Sequence, residues 1–294
     1  MKTKDIYNKK KSFFEGWYFK HQYNNKSIVF IPGINIDKNG NKYSFIQIIT
    51  DENTYNINYD YKEFSISKDK LEVKIENNIF SRAGISLNIN SKEINIKGSL
   101  KYKDITPIKY NIMGPFSIFP FMECNHGVIS LYHNVNGILN VNNEEIVIDN
   151  GKGYIEKDWG TSFPKTYMWI HSNDFNNEKI SVMVSIADIP FLGREFKGCI
   201  AVVYYKGKEY RLATYNGVRI LEYNKNGLVI KKGKYKLEIE IKENNPQELL
   251  APSNGAMSRI ICENISGVAK FKFYENKKIL FDLESNNTSF EYVE

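Results

Sequence analysis

Apolar and polar residues alternate along most of this chain, and such alternation is typical of a strand with one buried face. The alternation runs through short segments from residues 43–50 to 94–100, and again from residues 167–173 to 289–292. No stretch of ten residues or more has convincing helical periodicity. The pattern therefore predicts roughly twenty short strands and no long helix.

Short polar turns separate these segments, and the turn around Asn39-Gly40 is of the kind that favours tight hairpins. Evenly spaced short strands are typical of antiparallel barrels or sandwiches. With 294 residues the chain is long enough for two such units. We expect an all-β protein built from two barrel-like units in tandem.

An acid followed closely by a tryptophan occurs twice in the chain. Glu15-Gly16-Trp17 lies near the N-terminus, and Glu156-Lys157-Asp158-Trp159 lies near the middle. This similarity suggests two similar halves, with the second half beginning near residue 150. We therefore expect domains at residues 1–150 and 151–294.

Residues 105–125 interrupt the alternation with several prolines and an unusual number of large apolar side chains. Phe119 and Phe121 stand among them. A loop this apolar would be costly to expose to water. It either packs under the rim of a barrel, or it lines or covers an apolar cavity.

Composition and charge exclude some classes of function. The content of 42% hydrophobic and 25% charged residues is normal for a globular protein, and the net charge of +6 is mild. Lys and Glu are interspersed, and no nucleic-acid-binding motif accompanies them. We expect no nucleic-acid partner.

Three widely spaced cysteines, Cys124, Cys199 and Cys262, form no CxxC pair, so we expect buried free thiols in a reducing compartment. Four scattered histidines predict no metal site. The chain has no nucleophile elbow, Walker A loop or dinucleotide fingerprint. We expect no cofactor.

The N-terminal residues are basic but contain no apolar run that could form a signal peptide, and no segment is long enough to span a bilayer. We expect a cytoplasmic protein. Lys2, Lys4 and Lys9 to Lys11 also allow peripheral contact with an anionic membrane, although a solvated tail is the favoured explanation.

Two motifs resemble the signatures of the tocopherol cyclase-like family. The first is Phe14-Glu15-Gly16-Trp17-Tyr18-Phe19-Lys20. The second is Glu156-Lys157-Asp158-Trp159-Gly160, followed by Phe163-Pro164, Trp169, Asn173 and Phe175. Leu250-Ala251-Pro252 and Glu263-Asn264-Ile265-Ser266-Gly267 resemble the C-terminal part of that family, so the resemblance spans essentially the whole chain.

This resemblance implies a pair of lipocalin-like β-barrels related to those of carotenoid hydratases. It also implies acid-initiated cyclisation, or hydration, of a prenylated or polyene substrate without a redox cofactor. The partner would be a lipophilic small molecule of isoprenoid or polyene type. The alternative is a non-catalytic carrier that holds such a molecule in the same pocket.

Acid-initiated cyclisation needs a carboxyl group that can protonate a carbon–carbon double bond. Side chains two apart on a strand share a face, so Glu156 and Asp158 would lie together while Lys157 points away. Two carboxylates on one cavity wall would raise one pKa and leave one proton donor. We expect Glu156 or Asp158 to be the acid.

His126 follows the apolar loop and is the candidate general base, although a lone histidine is more often structural. The expected substrate-binding residues are Glu15, Trp17, Tyr18, Phe119, Phe121, Trp159, Phe163, Trp169 and Asn173. Aromatic faces among them would stabilise a carbocation by about 0.5–2 kcal/mol each. The alternative for Glu15 and Trp17 is structural, with the tryptophan closing the base of a barrel.

Overall fold

The computed structural model describes residues 11–119, 122–175, 178–191 and 194–294. Phe121 and the basic residues Lys2, Lys4, Lys9 and Lys10 lie outside these ranges. Within the ranges the chain forms strands and short 3₁₀ helices, at Tyr61–Glu63, Gly114–Ile118 and Thr214–Asn216. None of the described helices is long and apolar enough to cross a bilayer.

The first sheet has eleven antiparallel strands, in the order β4-β3-β2-β1-β11-β10-β9-β8-β7-β6-β5. The strands are β1 (Phe13–Tyr23), β2 (Lys26–Ile36), β3 (Lys42–Thr50), β4 (Thr54–Asp60), β5 (Phe64–Ile66), β6 (Glu72–Ile75), β7 (Asn78–Ser81), β8 (Gly84–Asn90), β9 (Asn95–Thr106), β10 (Cys124–Val141) and β11 (Glu144–Gly160).

The second sheet has ten strands, in the order β15-β14-β13-β12-β21-β20-β18-β17-β16, with β19 paired to β20. The strands are β12 (Tyr167–Ser172), β13 (Ser181–Phe191), β14 (Arg194–Tyr205), β15 (Lys208–Ala213), β16 (Arg219–Asn224), β17 (Gly227–Lys232), β18 (Tyr235–Glu243), β19 (Gln247–Ser253), β20 (Ala256–Glu275) and β21 (Lys278–Val293).

Both sheets are built in the same way. The first strand of each sheet pairs with its last strand, β1 with β11 and β12 with β21. The two edge strands of each sheet are neighbours in sequence, joined by a 3₁₀ helix between β4 and β5 and between β15 and β16. Each sheet thus curls towards a barrel, and the expected all-β fold with tandem lipocalin-like barrels is confirmed.

Each sheet encloses its own apolar core, and a third apolar cluster joins the two sheets. Trp17, Phe30 and Phe80 are among the buried side chains of the first core. The second core includes Phe271 and Phe273. Burial of side chains of this size contributes about 1.5–3 kcal/mol each. The third cluster takes members from both sheets, and among them are Tyr18, Val128, Tyr154, Trp169 and Met183.

The two tryptophan motifs lie side by side in the first sheet. In the pairing of β1 with β11, Glu15 lies opposite Trp159 and Trp17 lies opposite Lys157. The first sheet therefore continues to Gly160, and the second sheet begins at Tyr167. The division of the chain after residue 150 stays a prediction, and β11 crosses that position.

Cys124, Cys199 and Cys262 are free thiols, as expected. Cys199 is buried and Cys124 is partly buried, but Cys262 is exposed. The expectation of burial was wrong for Cys262 because its position on β20 turns the side chain outward, while its neighbour Ile261 is buried.

Candidate active site

A cavity of about 100 Å³ lies between the two sheets, and side chains of both sheets form its walls. Most of the walls are apolar, and the polar groups converge from two sides. The lining residues are Met113, Phe116, Met122, Cys124, His126, Glu156, Asp158, Phe163, Pro164, Tyr167, Trp169, Ser185, Ala187, Ile189, Phe196, Gly198, Cys199, Ile200 and Glu291.

The first sheet supplies one histidine and two carboxyl side chains to this cavity. Strand pairing places His126 of β10 directly opposite Asp158 of β11, with Glu156 two residues away on the same face. The His126 Nδ1 lies 2.8 Å from Asp158 Oδ1, and its Nε2 lies 3.2 Å from Glu156 Oε2. We call these three side chains the carboxylate–histidine trio. Their shared face is the one that strand alternation predicts.

A tyrosine supports the trio from behind. Tyr154, also on β11 and fully buried, donates a hydrogen bond from its hydroxyl to Glu156 Oε2 at 2.6 Å. Its ring stacks on His171 of β12, with ring centroids 3.6 Å apart. Glu156 is therefore fixed by contacts with both sheets, because its tyrosine partner packs against the second one.

Burial and charge set the protonation of the trio. Burial raises the pKa of Glu156, although His126 opposes this effect. Burial alone would lower the pKa of His126, but the charges of Glu156 and Asp158 outweigh it and hold that pKa well above its usual value. The imidazole is therefore charged at neutral pH. The role of free base expected for His126 requires the neutral ring, which these two carboxylates disfavour.

The trio also offers ligand atoms for a metal ion, since one atom from each residue lies within 4.8 Å of the others. A metal would need a ring nitrogen without its proton. Both ring nitrogens of His126 face a carboxylate, and the pKa of the ring is raised. A metal ion at this position would have to displace the proton that the two carboxyl groups favour on the ring.

The second sheet supplies a further carboxyl group to the cavity. Glu291 of β21 lies opposite Trp169 of β12 in the strand pairing. The Tyr167 hydroxyl donates to Glu291 Oε2 at 2.5 Å. Burial raises the pKa of Glu291 to about 8; the bond from Tyr167 opposes this, and Glu156 adds to it. The cavity thus has acidic groups from both sheets.

The apolar loop of residues 105–125 contributes to the cavity wall. Met113, Phe116 and Met122 line the cavity. The Phe116 ring also packs against Phe196 and Tyr215 of the second sheet, with centroids 6.1 and 6.0 Å apart. Both roles considered for this loop, packing and lining a cavity, are present in the structure.

Five of the residues predicted from sequence line the cavity: His126, Glu156, Asp158, Phe163 and Trp169. Phe163 is held by the aromatic rings of Phe14 and Tyr167. Trp169 packs edge-on against Tyr18, with centroids 5.3 Å apart. The trio and this aromatic wall therefore converge on one space.

Other predicted residues lie on the opposite face of β1 and β11. Lys157 forms an ion pair with Glu15, and its ammonium lies 5.3 Å from the Trp17 ring and 4.8 Å from the Trp159 ring. Trp17 is buried in the first core and stacks on Phe64. This placement matches the structural alternative for Glu15 and Trp17, and their role in substrate binding stays a prediction.

Tyr18 and Asn173 lie at the contact between the sheets without lining the cavity. The Tyr18 hydroxyl donates to Glu263 Oε1 at 2.5 Å. The Asn173 side-chain amide donates to the Gly153 carbonyl at 2.9 Å. Phe119 lies near Phe116, with ring centroids 6.5 Å apart. Substrate contacts by these three residues likewise stay predictions.

The sequence interpretation missed Tyr167 and Glu291. Tyr167 lies in the predicted strand of residues 167–173, and Glu291 lies between Phe290 and Tyr292. An acid between aromatic residues on a strand resembles an ordinary solvent-facing position. Its burial follows from the pairing of β21 with β12, which the alternation of β21 alone does not reveal.

Comparisons with known proteins agree with this fold. A relative from Oryza sativa subsp. japonica, named "Probable tocopherol cyclase, chloroplastic", is 24% identical over 211 residues, which cover 64% of this chain. The matched segment spans 43% of the length of that relative.

Solved structures show the same architecture. CghA in complex with Sch210972 is similar with a TM-score of 0.63 and 9% identity, covering 96% of this chain and 88% of that one. A provisionally named AttH protein from Nitrosomonas europaea has a TM-score of 0.54 and 13% identity, covering 95% of this chain and 92% of that one.

The family model described as tocopherol cyclase-like matches residues 90–292, which include the trio, the aromatic wall and Glu291. The matched range includes the second sheet except for its last residue, Val293. This chain belongs to the tocopherol cyclase-like family.

Proposed function

We propose that this protein is a cyclase-like enzyme that starts its reaction by protonating a double bond of a lipophilic, isoprenoid or polyene substrate. The observation that carries this proposal is the carboxylate–histidine trio on the wall of an otherwise apolar cavity. A carrier needs no buried carboxyl group facing its ligand, because burial of such a group is costly.

The reaction begins when Glu156 or Asp158 gives its proton to the double bond. The carboxyl O–H bond breaks, a C–H bond forms, and a carbocation remains on the neighbouring carbon. An oxygen of the substrate itself, or of water, then bonds to that carbon and loses its proton. No electron is gained or lost, so the chemistry is an isomerisation or a hydration.

The surroundings of the trio favour these steps. Burial of Glu156 raises its pKa, which favours the protonated form that a general acid needs. His126 lies between the two carboxyl groups, and its charge stabilises the carboxylate that remains after the proton has left. The Trp169 ring lines the same cavity and would stabilise the cation by about 0.5–2 kcal/mol.

Two variants test this proposal, Glu156→Gln and Asp158→Asn. The substrate would be a geranylgeranyl hydroquinone, with turnover followed by mass spectrometry of the product. We expect the variant that removes the acid to lose at least about 100-fold in turnover, since general acid catalysis contributes roughly 10²–10⁴-fold. Glu145→Gln, an exposed position on the same strand, is the matched control and should keep full turnover.

Binding of an analogue with a saturated chain, followed by tryptophan fluorescence, separates binding from chemistry. We expect both variants to bind the analogue within a few-fold of the wild-type protein. Unchanged turnover in both variants would disprove the role of the trio. Tight binding with no turnover in the wild-type protein would establish the carrier instead.

A further inference from the structure

The proposed reaction needs a group that takes the proton from the attacking oxygen, and His126 is poorly suited to this. A charged imidazole has no free lone pair, and both of its nitrogens face carboxyl groups. The proton acceptor must reach the cavity from another position.

We infer that Glu291 is the general base of the proposed reaction, acting from the second sheet on the cavity that the trio also lines. It lines the cavity while its backbone belongs to the second sheet. The substrate would lie between a proton donor on the first sheet and a proton acceptor on the second. This inference rests on the proposed function.

One carboxyl oxygen of Glu291 accepts a hydrogen bond, and the other oxygen is available to accept a proton. Glu291 is 8% exposed. Among the described residues, Tyr167 is the only hydrogen-bond partner of its side chain, and that bond reaches Oε2. The pKa of Tyr167 is itself raised well above its usual value by burial and by Glu291, so the tyrosine remains a donor throughout the neutral range. Oε1 is therefore the atom that can accept the proton of the substrate.

The charged and titratable groups around Glu291 come from both sheets. On the second sheet they are Tyr167, Glu263 on the neighbouring strand, and Arg259, which is bonded to the carbonyls of Pro164 and Lys165. On the first sheet they are Glu156, Asp158, His126 and the Cys124 thiol. The carboxyl groups among them make ionised Glu291 a stronger base than an exposed glutamate, because they repel its charge.

The second proton transfer is balanced as follows. The attacking oxygen bonds to the cationic carbon and so closes the new ring of the product. The O–H bond of the attacking hydroxyl breaks, and its proton bonds to Glu291 Oε1. The trio has then lost one proton and Glu291 has gained one. Return of that proton through water in the emptied cavity restores both walls for the next cycle.

The pH dependence of turnover tests this role. Since a base must be ionised, and the pKa of Glu291 is about 8, we expect turnover to rise roughly tenfold per pH unit between pH 6 and 7.5. Glu291→Gln should lower turnover at least about 100-fold and remove this rise. It should still bind the saturated-chain hydroquinone, because glutamine keeps the size of the side chain.

Glu145→Gln is the control. Glu145 is exposed near the start of β11 and does not line the cavity. The Glu145→Gln variant should keep the rise of turnover with pH. Loss of the rise in this variant as well as in Glu291→Gln would overturn the inference.

If turnover of the Glu291→Gln variant still rises with pH, the inference that Glu291 is the base is also overturned. If that variant fails to bind the saturated probe, Glu291→Asp takes its place. We expect the shorter carboxylate to keep the rise but lose at least about tenfold in turnover, and full turnover would refute the role of Glu291. Absence of turnover in the wild-type protein would instead overturn the proposed function, and the inference with it.

Discussion

At the scale of single residues, the buried histidines are held in opposite charge states. His126 lies between two carboxyl groups, which hold its pKa well above the usual value despite burial. His133 is buried in the first sheet beside the Ser130 hydroxyl, and burial, together with His21, holds its pKa well below the usual value. The same side chain therefore carries a charge in one position and none in the other.

These two charge states predict opposite effects of pH on stability. An unfolded histidine titrates near pH 6.5. The stabilisation from His126 is complete below that pH and is lost as pH rises through its raised folded pKa. His126→Gln should therefore cost about 3 kcal/mol in free energy of unfolding near pH 6, and less as pH rises.

His133→Gln is the comparison for this measurement. The folded pKa of His133 is lowered, so its stabilising contribution is present above about pH 6.5 and is lost as pH falls. The cost of His133→Gln should shrink towards low pH. Urea unfolding of both variants between pH 5 and 9 measures this, and parallel trends in the two variants would contradict the assigned charge states.

At the scale of elements, β11 is the strand on which the site depends, and close packing constrains it. It carries Tyr154, Glu156 and Asp158, and it pairs with β1 on one side and β10 on the other. A methyl group added at Gly153 of this strand would lie 2.1 Å from the His133 Nε2. The histidine ring thus occupies the space that a side chain at Gly153 would need.

Gly153→Ala should therefore destabilise the protein by about 1–3 kcal/mol, the usual cost of overpacking a core. The same substitution in a His133→Ala background should cost clearly less, because the ring that blocks the methyl group is gone. Chemical denaturation of the two single variants and the double variant measures this coupling. Additive effects within about 0.5 kcal/mol would show that the ring does not limit this position.

Much of the fold could be predicted from sequence because alternation is a local signal. It predicted the strands and the shared face of Glu156 and Asp158, and its interruption marked the apolar loop, for which packing and a cavity role both stayed open. Strand pairing is not local, so the similarity between the two tryptophan motifs suggested a repeat, whereas Glu15 and Trp159 lie opposite each other on adjacent strands. Glu291 was missed for the same reason.

At the scale of the whole molecule, a buried lysine joins the two sheets. Lys20 of β1 is fully buried, and its ammonium donates to the Asn287 carbonyl and the Ser289 hydroxyl of β21, at 2.7 Å each. Burial lowers its pKa from 10.5 to about 7, although Glu263 opposes this effect. The contact between the sheets therefore includes the Lys20 ammonium, and burial makes its charged form unfavourable.

Lys20→Met should change how stability depends on pH. Because the folded pKa of Lys20 is lowered, its contribution is present above about pH 10 and is lost as pH falls towards 7. Relative to Lys20→Met, the wild-type protein should gain on the order of 2–3 kcal/mol between pH 7 and 9.5. Urea unfolding at the two pH values measures this, and an equal difference at both would show that Lys20 keeps an ordinary pKa.

The pairing of the first strand of each sheet with its last has a consequence for synthesis on the ribosome. Phe14 can pair with Gly160 only after Gly160 has left the ribosome, and Tyr167 can pair with Val293 only after Val293 has left it. At roughly 5–20 residues per second, the first wait lasts on the order of ten seconds. During that time β1 exposes an apolar edge, so a nascent chain of this protein should be a client of chaperones that bind extended apolar segments.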